Sequence, residues 1–397
     1  MKKFDKDKYL KKLKFKRAWC KYERYFYIGV PCLIIALLVM CTILNKNAIF
    51  EDNKVYLDNA IGAYIDGEYS KTIPGKNDGY VVKNIVCDND AIGTWDNDKW
   101  GLLTTNMTQK SKCNIYFETK KTSVVEAINV AMSTDSSMFA TDDPDNNVRY
   151  IGADPSNYLY FNCSDYNNQS DSTCEKWRII GLFNNITKSD GTKENLVKII
   201  RDESIGIFDW DHVNEWSTAT LQQYLNSGTY YTTMLKNDIT RNTIESVVWN
   251  IGGVSSTSLS SSGFYSSERG TDVYSGHTAT WTGKVGLKYP SDYGYATAGS
   301  SVTNRSTCLS TALYNWDNVS DCYTNDYLYK TDYNQWTLTP YSKDDYHVFF
   351  IYSTVGNVFR HNAYYDYSVY PALYLKSNIL VKSGDGTRSA PYQLNLE

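Results

Sequence analysis

Three patterns of hydrophobic and polar positions divide the chain. Across residues 25–44 apolar side chains run for 20 positions without a charge, a length that in a helix spans about 30 Å of membrane hydrocarbon. Pro31 falls near the start of that run, where an interface tolerates a break, and Tyr25, Phe26 and Tyr27 supply an interfacial aromatic belt. One transmembrane helix is predicted there. Residues 45–118 are β-like, with β-formers at 79–87 and 112–117 around a turn-rich middle, and predict a small β spacer module. Residues 119–147 hold a predicted helix, with Val124, Val125, Ile128 and Ala131 at helical spacing, and then an acidic linker.

From 148 to 397 short apolar runs alternate with turns. Runs at 177–183 and 196–200 predict strands, 217–225 a capped helix, and 239–248 fits either helix or strand. The Ser-rich stretch 255–267 predicts an exposed loop. Near the end, Trp336, Leu338, Leu373 and Leu375 are assigned to the core. Between them lie a β-forming run at 347–352, a Gly356-Asn357 turn, and a segment dense in Tyr, His, Asn and Arg. Large amphipathic rings beside small polar groups are the composition of a recognition surface, since they give contact area at low entropic cost. The candidate ligand-binding residues are Tyr346, His347, Tyr352, Asn357, Arg360, His361, Asn362, Tyr364, Tyr365, Asp366 and Tyr367. Strand alternation predicts that half of them point into the core.

Charge sharpens the topology. Residues 1–24 carry about +8 of a chain whose net charge is −4 and predict a cytoplasmic basic segment against anionic lipid. Membrane lipid through the anchor is thus one expected partner, with the carboxyl terminus outside the cell membrane. The acidic remainder argues against nucleic acid. The six cysteines after the apolar run fall in local couples, Cys87 with Cys113, Cys163 with Cys174, and Cys308 with Cys322. Short spacings without Cys-x-x-Cys or accompanying His favour disulfides over metal. Asp88, Asp90 and Gly93 mimic the start of a calcium loop, but Lys99 stands where the closing Glu belongs.

The final block, Trp336-Thr337-Leu338-Thr339-Pro340, then Val348-Phe349-Phe350-Ile351, a Gly turn, and Tyr370-Pro371-Ala372-Leu373-Tyr374-Leu375-Lys376, resembles the end of C-type-lectin-like domains in bacterial surface proteins. These include the variable proteins of diversity-generating retroelements and a family of uncharacterised Gram-positive membrane-anchored proteins. Trp177-Arg178-Ile179-Ile180-Gly181-Leu182-Phe183 and Trp249-Asn250-Ile251-Gly252-Gly253 resemble the latter family too, extending the likeness to roughly 145–395. Tyr370 stands where the retroelement proteins usually carry Arg. The resemblance implies an α+β fold: a β-rich C-type-lectin-like ectodomain over 148–397 with two or so helices, preceded by the β module and the transmembrane helix.

The same resemblance implies binding of a surface glycan or protein. The calcium-site motifs of sugar-binding lectins, such as Glu-Pro-Asn, do not occur, so no cofactor is expected. No Gly-x-Ser-x-Gly elbow or phosphate loop is present either, and an enzyme is not expected. The alternatives are a cell-envelope hydrolase using acids among Asp202, Glu203, Asp209 and Asp211, where neighbouring loop acids are more often a solvated surface, and a scaffold subunit of an envelope complex.

Overall fold

The computed structural model describes residues 11, 12, 14, 15, 55, 56, 61–106 and 111–396, with 55 and 56 described as backbone. They fall into two compact units, divided at Lys120 and Lys121.

The first unit is built on a four-stranded sheet in which Cys113–Thr119 runs between Ile61–Ile65, parallel to it, and Tyr80–Cys87, antiparallel. Alternation along Cys113–Thr119 turns Cys113, Ile115 and Phe117 inward, and Ala63, Ile73, Ile115 and Phe117 form a small core. Within the stretch expected as a loop, Ile92–Asp96 pairs with Gly101–Thr105 as a hairpin of its own. Asp88 accepts a hydrogen bond from the Lys112 amide at 2.5 Å, tying this excursion at its base.

The second unit begins with α1 (Val124–Thr134), capped by Ser123, whose side chain accepts from the Glu126 amide. Val124 and Ile128 are buried in the main core. The acidic stretch read as a linker is likewise part of this body: Asp143 is 3% exposed, because Arg149 pairs with it at 2.5 Å. A seven-stranded antiparallel sheet forms the centre, ordered Phe139–Ala140, β1 (Val148–Tyr150), β2 (Glu175–Thr187), β3 (Lys193–Arg201), Pro371–Leu375 and Val285–Leu287, with Tyr158–Phe161 also on β2. The unbroken burial of 177–183 and 196–200 explains why those runs, Arg178 and Lys198 apart, are apolar without alternation: both faces are covered.

The expected fold class is corrected on two counts. Among the described residues the protein is mostly β-sheet, but residues 148–396 hold six α-helices rather than two or so. The Ser-rich stretch holds one of them, Ser261–Glu268, started by Ser260 accepting from the Gly263 amide, and the ambiguous 239–248 is both, helix Asp238–Thr243 and strand Val247–Asn250. Among the described residues, moreover, no helix is long and apolar enough to cross a membrane. The span expected at 25–44, and the basic segment before it, lie outside the described residues.

Three disulfides join Cys87 to Cys113, Cys163 to Cys174, and Cys308 to Cys322. Cys87 and Cys113 face each other across paired strands, and Cys308 and Cys322 join two short helices.

Candidate functional site

The final block forms a second sheet of five strands, Ile207–Phe208, Tyr367–Ser368, β4 (Gln335–Pro340), β5 (His347–Ile351) and β6 (Val358–Asn362). β5 and β6 make an antiparallel hairpin in register from His347 opposite Asn362 to Ile351 opposite Val358. Residues 352–357 connect them, closed by the Tyr352 amide donating to the Asn357 carbonyl at 2.8 Å. Gly356 adopts a φ of +68°, and a Cβ there would strike the Tyr323 side chain. Glycine is demanded twice, by backbone and by space.

None of the candidate residues is fully buried. Tyr346, Tyr352, Tyr364, Tyr365 and Asp366 are exposed, while His347, Asn357, Arg360, His361, Asn362 and Tyr367 are half-buried. The expectation that half of them enter the core is thereby corrected. Val348, Phe349, Phe350, Ile351, Val358 and Ala363 fill the core instead, beside Trp336, Leu338, Leu373 and Leu375. Alternation fails as a guide because β5 is covered on both faces from Val348 to Ile351, leaving β6 and the turn after it to carry the polar face.

The rings form a continuous chain from core to surface. Tyr367 rests against Trp336 and Phe350, with centroids 4.6 and 4.8 Å away, and stacks toward Tyr365 at 6.5 Å. Tyr365 stacks on Tyr364 at 5.0 Å and takes the edge of His361 at 4.0 Å. The Asn362 side-chain Nδ2 donates to the Tyr364 hydroxyl at 2.9 Å. Each ring braces the next, so the exposed pair is held in place before any ligand arrives. Burial, with the nearby His347 adding, lowers the His361 pKa below its ordinary value, which keeps that imidazole neutral at neutral pH.

A second group lies at the start of β5. His347 pairs with Asp344 at 2.7 Å and meets the Tyr346 ring at 4.4 Å. The Arg360 guanidinium lies 4.1 Å over the Tyr341 ring. Its Nε has no hydrogen-bond partner. Asn357 is engaged within the fold, accepting from the Asp317 amide at 2.9 Å.

Among the acids of the hydrolase alternative, Asp202 faces cations. Asp202 meets Lys330 at 2.8 Å and Arg178 at 3.9 Å. In the cavity of about 260 Å³ that it lines, Glu175 pairs with Arg201 at 3.0 Å. Asp211 accepts from the Thr220 hydroxyl at 3.2 Å. Among the described residues no group of three or more His, Cys, Asp or Glu is placed to hold a metal ion.

A buried charge network escaped the sequence reading. Asp292 sits between Lys198 at 2.5 Å and Arg149 at 3.1 Å, all three 1% exposed or less. The Lys198 ammonium lies 4.3 Å from the Tyr289 ring centre. Burial alone would raise the Asp292 carboxyl, but Lys198 and Arg149 outweigh it and bring the pKa to about 2. Nearby, Glu268 accepts from the Ser291 amide at 3.0 Å and from its hydroxyl, and burial raises it to about 7. The available signal was a charge inside each apolar strand, Arg149 in β1 and Lys198 in β3.

Comparison with protein-family models, curated proteins and solved structures finds no match to this chain. The likeness to lectin-like surface proteins rests on the sequence motifs alone.

Proposed function

We propose that the protein binds a surface glycan or protein without catalysis, through the ring chain of the final block. The observation that carries this reading is the exposure of Tyr364 and Tyr365, 49% and 43%, in rings already stacked on each other, with the Tyr364 hydroxyl hydrogen-bonded to Asn362. Isolated exposed tyrosines need no explanation; a braced pair flanked by His361, Asn362 and Asp366 offers flat apolar faces with directional polar groups beside them. Such faces stack on sugar rings or fill a partner's pocket. The proposed mode is calcium-free, because the contact groups are rings, imidazole and amides rather than converging carboxylates. Three disulfides support action in an oxidising compartment outside the cytosol, and the first unit would serve as the spacer.

Probing the purified protein on glycan and bacterial-surface protein arrays, with and without chelator, tests this. Specific binding indifferent to chelator is expected. Binding abolished by chelator would contradict the proposed mode, and no binding on either array would contradict the reading itself.

A further inference from the structure

A cavity of about 140 Å³ in the second unit is lined by groups that the fold leaves half-used. Its buried lining is aromatic: Phe183, Trp249, Tyr289 and Tyr374 are each 4% exposed or less. Its more accessible lining is polar, with Asp145, Asn184, Asn250 and Arg269. None of the candidate residues of the final block lines it. Strand β2 is irregular at this place. Its pairing with β3 slips between Phe183 and Ile186, where Asn185 takes a φ of +54°. Such a bulge re-aims side chains, and Asn184, Asn185, Ile186 and Thr187 all line the cavity.

The charged groups are held in place but not used up. The Arg269 guanidinium lies 3.3 Å over the Tyr265 ring, and its Nη1 donates to the Tyr265 carbonyl at 3.3 Å and to Glu268 at 3.4 Å. Among the described residues its Nε and Nη2 have no hydrogen-bond partner. Burial raises Glu268 to about 7, so that acid cancels the Arg269 charge only in part near neutral pH. The Tyr265 hydroxyl donates to Asp145 Oδ2 at 2.6 Å, leaving Asp145 Oδ1 without a partner among the described residues. Asp145 and the Arg269 Nε stand 4.0 Å apart, too far for a hydrogen bond. Tyr374 adds a hydroxyl that has no partner among the described residues, on a side chain more than nine-tenths buried; a buried hydroxyl left unpaired is costly. Behind the aromatic lining, Lys198 is paired with Asp292, so Arg269 and Asp145 set the charge that a ligand meets.

We propose that this cavity binds a free α-amino acid, between alanine and valine in size. The ligand carboxylate takes the Nε and Nη2 donors of Arg269, a two-pronged arrangement that guanidinium favours, with the Tyr374 hydroxyl as a further donor. The ligand ammonium takes Asp145 Oδ1, and the side chain rests on the aromatic lining. Charge selects this class. A simple anion suited to Arg269 is repelled by Asp145, a simple cation suited to Asp145 is repelled by Arg269, and a neutral sugar gains neither ion pair. A zwitterion with adjoining opposite charges matches both. Size agrees, since a cavity of about 150 Å³ accommodates benzene, and the amino acids named have about six to eight non-hydrogen atoms. The site shares no residue with the ring chain, so its test and the array test fail independently.

Calorimetric titration of the full chain with alanine, serine and valine, each as both enantiomers, tests the proposal. N-acetylalanine, which lacks the ammonium, alaninamide, which lacks the carboxylate, and glucose serve as controls. At least one of the amino acids is expected to bind with a Kd of about 1 mM or tighter, and all three controls at least about tenfold more weakly. Binding by none of the amino acids, or equal binding by a control, would overturn the ligand class, and this readout needs no variant. Arg269→Gln is expected to weaken binding about tenfold or more. Tyr374→Phe keeps the ring and removes only the hydroxyl; it is expected to weaken binding several-fold at an unchanged melting temperature, and it serves should Arg269→Gln fail to fold. Wild-type affinity in either variant, once folded, would overturn the contact assigned to that residue, and in both would overturn the site.

Discussion

Among the described residues Asp292 is the only carboxylate paired with Lys198, and it also takes one arm of Arg149. Removing one partner of such a buried pair strands the other charges, so Asp292→Ala is expected to cost about 3–5 kcal/mol, read as a lower urea midpoint at unchanged m-value. Glu268 gives the opposite lesson. Its folded pKa of about 7 lies above the ordinary carboxyl value of 4.5, so the native state holds a proton that the unfolded chain has released. Its contribution is fully present below about pH 4.5 and is lost as pH rises through about 7. Chemical denaturation across that window is expected to show stability falling by a few kcal/mol from this group, on the order of 1.4 kcal/mol for each pH unit that separates the two values. Glu268→Gln should remove this component; an unchanged slope would contradict the burial assigned to Glu268. At the surface, Tyr367→Ala is expected to cost about 2 kcal/mol because its ring leans on Trp336 and Phe350. Tyr364→Ala and Tyr365→Ala are expected to leave the melting temperature nearly unchanged, as exposed substitutions usually do.

The hairpin turn is the element on which the exposed rings depend. Gly356→Ala places a side chain where φ is positive and Tyr323 already stands, and is expected to destabilise the protein by roughly 2 kcal/mol, measurable by thermal unfolding. Much of this element was legible beforehand: Gly356 and Asn357 mark the turn, and the β-formers from Val348 to Ile351 mark the strand before it. The long strands β2 and β3 were legible for a related reason, since burial on both faces leaves a run that is apolar apart from Arg178 and Lys198. The short helices were not. Helices such as Ser261–Glu268 and Arg305–Ser310 are too brief to repeat the helical period, and they are set by one capping side chain, Ser260 and Asn304, together with tertiary packing. Which rings stay exposed was also unreadable, because cover over β5 comes from residues remote in sequence, such as Phe264, whose ring meets Phe349 at 5.1 Å.

At the scale of the molecule, covalent ties set the conditions under which the ring surface exists. The Cys308–Cys322 disulfide closes a loop with a sequence separation of 14, and the Cys308→Ser, Cys322→Ser double variant is expected to lose about 3 kcal/mol in the chain-entropy view. Guanidinium unfolding under non-reducing conditions would measure it. The same scale holds the central claim, that binding is delivered by Tyr364 and Tyr365 on a body whose fold does not need them. The most direct test is the affinity of the Tyr364→Ala, Tyr365→Ala double variant for a ligand captured on the arrays, alongside its melting temperature. Loss of binding by tenfold or more, or about 1.4 kcal/mol, at an unchanged melting temperature is the expected result. Wild-type affinity in the double variant would contradict the account and place recognition elsewhere on the protein.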